Sequence, residues 1–390
     1  GLVHDGQNSP LAGMNVALYS LVTGYVTQVT TNNAGAYQFS QLVSGAYYVQ
    51  EASSMFVEQA FRQLLPTGQP LTILDLCAAP GGKSTHLLSL MPEGSVLVSN
   101  EIIQSRVPIL AENITKWGHP DVIITQQDAA DFGATGAQFD CLLVDAPCSG
   151  SGLFRRDPEA MNEWSEAAVN LCSQRQQRIL ADALPSLQPG GWLIYSTCSY
   201  SKQENEAMVD WLMQEYPLAS CRLNRVPEWQ IVETISDQRN GYGYRFYPDQ
   251  AAGEGFFLAA FRLTDAVSSN RLASRPGKPV KREKLPAPQQ ACLVNYLQAP
   301  NDARYELFGD EWRLLSLPVW NVWNENQSAW RFRKAGVAVG SFAGSDLIPA
   351  PDLALSTLLH PDLQRLELDL DTALQYLRKL TWTPDAVRKA

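Results

Sequence analysis

Two cysteines carry the most pointed chemistry in this sequence. Cys148 follows Asp145-Ala-Pro and Cys198 follows Ser196-Thr, each just past an apolar run of strand length, Phe139 to Val144 and Trp192 to Ser196. A lone buried cysteine is commonly a small hydrophobe. Two at adjacent strand ends, one behind an aspartate, point instead to nucleophilic catalysis, in which a thiolate makes a covalent intermediate and a nearby acid or base moves protons. His86 and His119 lie outside these motifs, and His4 and His360 lie outside the domain that contains them, so a histidine mechanism has little support.

A third motif prepares a ligand site. The strand-like Leu71-Thr-Ile-Leu-Asp-Leu76 runs into Cys77-Ala78-Ala79-Pro80-Gly81-Gly82-Lys83-Ser-Thr and then a helix-compatible segment. Small residues there let a ligand approach the backbone at the carboxyl end of a first strand, where doubly wound sheets bind their ligands. The loop is neither GxGxxG nor GxxxxGK[ST], so dinucleotide and ATP readings lose ground. Glu101 ends the next strand about twenty residues beyond the glycines, the spacing at which an acidic residue grips ribose hydroxyls. Asp128, just past the third strand, is placed to meet an adenine amino group. Lys83 either lies close to Asp145 or closes the loop onto its helix.

Two thiols, an aspartate and an adenosine-type site fit one demanding reaction. Carbon 5 of cytosine is too poor a nucleophile to attack a methyl sulfonium directly. A thiolate adding to carbon 6 gives carbon 5 enamine character, a carboxyl group at N3 supports the charge shift, and a base then removes the carbon-5 proton so that the thiol can leave. Chemistry alone leaves open whether Cys148 or Cys198 adds.

The elements that must position these groups alternate from Glu51 onward in the manner of an α/β doubly wound, Rossmann-like sheet, expected to have seven strands. Strand-length runs are Leu71–Leu76, Ser95–Ser99, Val122–Thr125, Phe139–Val144, Trp192–Ser196 and Gly255–Arg262; helix-compatible runs include Lys83–Leu90 and Ser165–Leu184. Residues 1–50 differ in texture: Gly13-Met-Asn-Val-Ala-Leu-Tyr and Gly35-Ala-Tyr-Gln-Phe read as short antiparallel strands between turns. Residues 263–288 are rich in Ser, Pro, Lys and Arg and read as an exposed basic linker carrying Arg271, Arg275, Lys278, Lys281, Arg282 and Lys284. Residues 289–390 are expected to form a small separate α+β domain, with strand-like aromatic segments around Trp312 to Trp330 and a helix near Asp369 to Leu380.

CAAPGGK, DAPCSGSGLFRRDP, the helix beginning at Trp164 and YSTCSYSKQENE together resemble the RNA (cytosine-5)-methyltransferases related to the Sun and human nucleolar proteins, strongly over Val49 to Arg262. The resemblance implies methylation of carbon 5 of a cytosine in RNA, small-subunit ribosomal RNA above all, with S-adenosyl-L-methionine as cofactor. It implies Cys198 as nucleophile, Cys148 as an aid to product release and Asp145 as a contact to the base. It also implies a cofactor site lined by Cys77, Ala78, Ala79, Pro80, Gly81, Gly82, Lys83, Glu101, Asp128 and Asp145. Arg155, Arg156 and Asp157 either touch the RNA backbone or pair within their own loop. The family usually carries an amino-terminal RNA-binding domain; here residues 1–50, which resemble carboxypeptidase-regulatory-like and collagen-adhesin B-type β-sandwiches, stand in its place. The carboxyl-terminal region, more loosely similar, is expected to be a truncated RNA-binding domain.

Composition bounds the rest. With 390 residues, 45% hydrophobic and 18% charged, the chain can bury more than one core. Seven cysteines without a CxxC pair argue against a disulfide scaffold and a structural zinc site, and fit free thiols in a reducing compartment. No apolar stretch approaches the roughly 20 residues of a membrane span, and no signal peptide is visible, so the expected location is cytoplasmic. The free cysteines and the absent signal also count against an extracellular adhesin. A net charge of −10 means that RNA contact must come from local patches. The rival from another class is a non-catalytic RNA-binding or ribosome-assembly factor that keeps the cofactor fold.

Overall fold

The computed structural model describes residues 15–20, 24–30, 47–251, 253–268, 282–363 and 368–378. Three antiparallel strands come first, β1 (Asn15–Ser20), β2 (Gly24–Thr30) and β3 (Tyr47–Glu51), in the order β2-β1-β3. The Gly35–Phe39 segment expected as a strand lies outside the described residues.

The second sheet begins after helix α1 (Val57–Leu64). Its parallel strands are β4 (Thr72–Asp75), β5 (Val96–Asn100), β6 (Val122–Thr125), β7 (Phe139–Asp145) and β8 (Leu187–Thr197). The crossovers are α2 (Gly82–Leu90), α3 (Val107–Trp117), α4 (Ala129–Ala134), the short α5 (Ala160–Glu163) and α6 (Glu166–Ala183). Helix α7 (Glu206–Glu215) then leads to β9 (Leu218–Ser220), β10 (Val232–Ile235), β11 (Tyr242–Phe246) and β12 (Phe256–Leu263), which extend the sheet antiparallel from β8. From β4 the chain steps outward through β5 to β6, then returns to the other side of β4 with β7. That reversal opens a crevice at the carboxyl ends of β4 and β7, the usual ligand position in such sheets.

The parallel strands are apolar on both faces because helices cover both. Ile73, Leu97, Ile124, Leu143 and Ile194 pack toward α1, α2 and α3; Leu74, Val98, Ile123, Leu142, Val144 and Tyr195 pack toward the opposite layer with Phe132 and Leu180. Local signals fix the helix ends: the Ser165 side chain accepts the Ala168 amide at 3.1 Å to start α6, and Gly118 ends α3 with φ of 79°.

The sheet has ten strands rather than seven, and one comes from the carboxyl-terminal region. That region holds α8 (Ala287–Leu293), β13 (Arg304–Phe308), β14 (Glu311–Leu315), α9 (Leu317–Asn326), β15 (Phe332–Ala335), β16 (Val337–Ala343), β17 (Asp346–Pro349), α10 (Pro351–Leu355) and α11 (Leu370–Leu377). Strands β13-β14-β16-β17 form a sheet with its own core around Leu293, Trp312, Leu314 and Val339, whereas β15 pairs with β6 at the edge of the main sheet. Trp312 to Trp330 is therefore not all strand, since α9 occupies its middle. Of the basic run, Arg271, Arg275, Lys278 and Lys281 lie outside the described residues. Arg282 packs over the rings of Trp320 and Trp323, 5.2 and 5.5 Å from their centroids. Among the described residues no helix is long and apolar enough to cross a membrane.

Candidate active site

The CAAPGGK loop leaves β4 and enters α2 through Gly81, whose φ of +112° is left-handed and open to glycine at little cost. Three tethers hold the loop: the Ala78 amide donates to Asn100 O at 2.8 Å, Arg106 Nη2 to Ala79 O at 2.6 Å, and Asn113 Nδ2 to Pro80 O at 2.8 Å. Asn100 in turn bonds Leu76 O, Gln127 O, the Thr125 hydroxyl and the Gln127 amide, locking together the ends of β4, β5 and β6. Burial, then the carboxylates of Asp75, Asp145 and Glu101, push the Cys77 thiol far up, so Cys77 is a lining residue without thiolate character.

Glu101 is buried just past β5. Its Oε1 accepts the Ile103 amide at 2.9 Å; its Oε2 lies 3.2 Å from Arg106 Nη1 but makes no hydrogen bond. A buried carboxylate oxygen left in that state suits a ligand that brings hydroxyl donors, as ribose does. Asp128 caps α4, accepting the Ala130 amide at 3.1 Å, and is half-buried beside the same crevice wall. The residues present thus fit an adenosine-bearing cofactor.

The reactive groups meet where β7 and β8 end. Cys148 Sγ and Cys198 Sγ are 3.1 Å apart, both half-buried. Lys83, at the start of α2, reaches across the loop to pair with Asp145 at 2.8 Å, and the Ser196 hydroxyl donates to the other Asp145 oxygen at 2.8 Å. Burial works against the Lys83 cation, but the charge and hydrogen bond of Asp145 together with the Asp75 and Cys198 charges outweigh it and hold the ammonium above its usual range.

The two thiols are electrostatically unequal. A hydrogen bond from Cys148 lowers the Cys198 thiol; burial and Asp145 oppose this, and the Lys83 cation adds to the lowering. Cys148 is pushed well up by that same hydrogen bond, by burial, by the Cys198 charge and by the Glu204 charge. The hydrogen bond is shared by the pair and cannot rank its members. Beside Cys198 the Asp145 charge and the Lys83 cation oppose each other, whereas Glu204 acts on Cys148 alone and raises it, so Glu204 is what distinguishes the two thiols.

Two residues that sequence reasoning passed over, Glu204 and Gly152, build this arrangement. Glu204, in the one-turn Lys202–Glu204 segment after the Cys198 loop, is fully buried between the two cysteine loops. Gly152 lies so close to the Cys198 loop that a Cβ there would stand 2.6 Å from Cys198 O and 2.5 Å from Gly255 O. Arg155 pairs outside its own loop: its guanidinium meets buried Glu254 at 2.9 Å and donates to Gly253 O at 3.1 Å.

Fold and site together define a Rossmann-like methyltransferase class, and comparison with known proteins narrows it. Residues 63–262, 200 of the 390, match the family described as 16S rRNA methyltransferase RsmB/F, and the chain belongs to that family of S-adenosylmethionine-dependent enzymes. It is 37% identical over 294 residues to the ribosomal RNA small subunit methyltransferase F of Pectobacterium atrosepticum, covering 75% of this chain and 58% of that protein. Against the protein of the same name from Escherichia coli O9:H4 it is 35% identical over 258 residues, covering 64% and 53%. The chain thus spans about half the length of the curated relatives it matches. Among solved structures it is similar to NSun6 from Pyrococcus horikoshii with SFG, at 25% identity and a TM-score of 0.50, covering 62% of this chain and 65% of that one. Residues 1–76 match the carboxypeptidase regulatory-like domain, so the two matches overlap across β4.

Proposed function

We propose that this chain methylates carbon 5 of a cytosine in RNA through a covalent cysteine adduct, the substrate being small-subunit ribosomal RNA as the relatives' names indicate. The observation that carries the reading is the pair of thiols 3.1 Å apart at the ends of β7 and β8, with Lys83 and Asp145 paired beside them.

Cys198 is the group that adds. Its thiolate forms a bond to carbon 6, the ring's electron pair is displaced toward carbon 5, and a proton passed from Lys83 through Asp145 meets the charge at N3 and returns when the 5,6 double bond re-forms. S-adenosylmethionine, when bound, supplies the electrophilic methyl group; Glu101 would take its ribose hydroxyls, Asp128 its adenine amino group, and Cys77 to Lys83 and Asp145 would line its site. Once Cys198 is a thioether it carries no charge and accepts no strong hydrogen bond, so two of the causes that keep Cys148 protonated vanish. Cys148 then loses its proton to water and takes the proton from carbon 5. The released pair restores the 5,6 double bond, the carbon–sulfur bond breaks, and Cys198 leaves as thiolate.

Incubation with labelled cofactor and either deproteinised 16S ribosomal RNA or assembled small subunits, followed by nucleoside analysis, tests this. Label in 5-methylcytidine is the expected product. RNA binding without any transfer would favour the assembly-factor reading, and label in another nucleoside would overturn the cysteine route.

A further inference from the structure

Glu204 is a charged side chain with no exposure to solvent, a placement that costs several kcal/mol unless hydrogen bonds repay it. Four do. Its Oε1 accepts the Ser149 amide at 2.9 Å and Gln176 Nε2 at 3.1 Å; its Oε2 accepts the Ser149 hydroxyl at 2.5 Å and the Ser199 hydroxyl at 2.6 Å. Ser149 follows Cys148 and Ser199 follows Cys198, so one carboxylate grips the residue after each thiol. Gln176 sits on α6 and also donates to Pro147 O at 3.1 Å, bracing the Cys148 loop from behind. Tyr195 donates to Glu204 O at 2.6 Å, tying the clasp to β8.

We propose that Glu204 is a positioning residue that sets the distance between Cys148 and Cys198 and, by its charge, keeps Cys148 the protonated member of the pair. This deepens the reading above and rests on Cys198 adding and Cys148 assisting release. Without the carboxylate, the two loops are joined near the thiols chiefly by the Gly152 amide on Cys198 O at 2.8 Å and the Tyr200 amide on the Ser151 hydroxyl at 2.8 Å. Those bonds lie beyond the sulfurs, and between the serines themselves only the longer hydroxyl contacts of Ser199 with Ser149 at 3.2 Å and Ser151 at 3.4 Å would remain. The charge argument agrees with the direction of the Cys148 shift, which includes Glu204 among its causes. The other titratable groups around the pair are Lys83 and Asp145 on the Cys198 side, and Tyr195 with Cys172 and its neighbour Arg175 on the Glu204 side.

Two variants separate charge from grip. Glu204→Gln keeps the size and can still bond both serines, whose hydroxyls can turn to accept; Glu204→Ala removes both side-chain acceptors and keeps only the backbone oxygen that Tyr195 meets. Alkylation of each cysteine, followed by mass spectrometry across pH without RNA or cofactor, should show Cys148 reacting at lower pH in both variants than in the parent. In single-turnover assays Glu204→Ala should transfer its first methyl but release the adduct roughly 100-fold more slowly, as expected for a displaced catalytic group. Glu204→Gln should recover most of that release rate. Unchanged Cys148 titration in both variants, or equal loss of transfer and release that Gln does not rescue, would overturn the proposal. Should the parent form no adduct at all, the reaction reading fails, and the alkylation profiles still decide the role of Glu204.

Discussion

At the ends of β7 and β8 the carboxylates of Asp145 and Glu204 have both oxygens engaged by the chain itself, whereas at the ends of β4 and β5 those of Asp75 and Glu101 each keep one buried oxygen without a hydrogen bond. The half of the crevice with the thiols is finished before any ligand arrives, and its geometry is set by internal partners. The other half holds buried oxygens to which the chain itself supplies no hydrogen bond, which is what a site looks like when a ligand completes it. Preorganisation therefore lies with the reacting groups, and ligand-dependent satisfaction with the cofactor edge.

The largest effect should come from forcing the finished half apart. Gly152→Ala introduces a Cβ within 2.6 Å of two backbone oxygens, neither of which can rotate away. Overpacking of this kind costs about 1–3 kcal/mol, and a shift of the thiols by an ångström costs about 100-fold in rate. Thermal denaturation and single-turnover transfer would check both; a fully active variant would mean the loops are less tightly set than described.

Next, Lys83→Met removes the cation that favours the Cys198 thiolate and leaves Asp145 without its ion pair. A drop in kcat/KM of about 100-fold, equivalent to about 2.7 kcal/mol, should accompany a rise in the pH at which Cys198 is alkylated. A lower rate without that titration shift would confine Lys83 to holding Asp145.

On the cofactor edge the loss should be in affinity. Glu101→Ala should weaken S-adenosylmethionine binding by about 1.5–3 kcal/mol, the range for a hydrogen bond to a charged group, with the alkylation profiles of both cysteines unchanged. Calorimetry with the cofactor alone measures it. Equal affinity would break the contrast between the two halves.

The smallest effect concerns Asp75, whose carboxyl is pushed up to about 7 by burial and by the charges of Asp145 and Glu101, against the Ser84 hydrogen bond. A carboxyl raised on folding binds its proton more tightly in the native state, so its contribution is full below the unfolded value and is lost as pH rises through about 7. Melting temperature should fall from about pH 4 to pH 8 more steeply in the parent than in Asp75→Asn, by a few degrees. Parallel curves would mean Asp75 stays ionised throughout.

The parallel core was legible because its strands are continuous apolar runs ended by the motifs that carry the chemistry, and the ligand crevice followed from their order. The site's framework was not. Glu204 sits in Ser-Lys-Gln-Glu-Asn-Glu, a polar stretch whose composition gives no sign of burial, and only the tertiary fold buries it between two loops distant in sequence. In α9, the tryptophans suggested strand by their β propensity; Pro318 in the first helical turn was the local signal for a helix. The pairing of β15 with β6 is non-local, and nothing in Phe332–Ala335 itself names its partner.

The central claim is that Cys198 and Cys148, though in contact, do different work, and a denaturing gel tests it most directly. With RNA and S-adenosylmethionine, Cys148→Ala should methylate once and remain covalently bound to its RNA, while Cys198→Ala should give neither product nor adduct. An adduct in Cys198→Ala and none in Cys148→Ala would reverse the roles and contradict the asymmetry that Glu204 gives the pair.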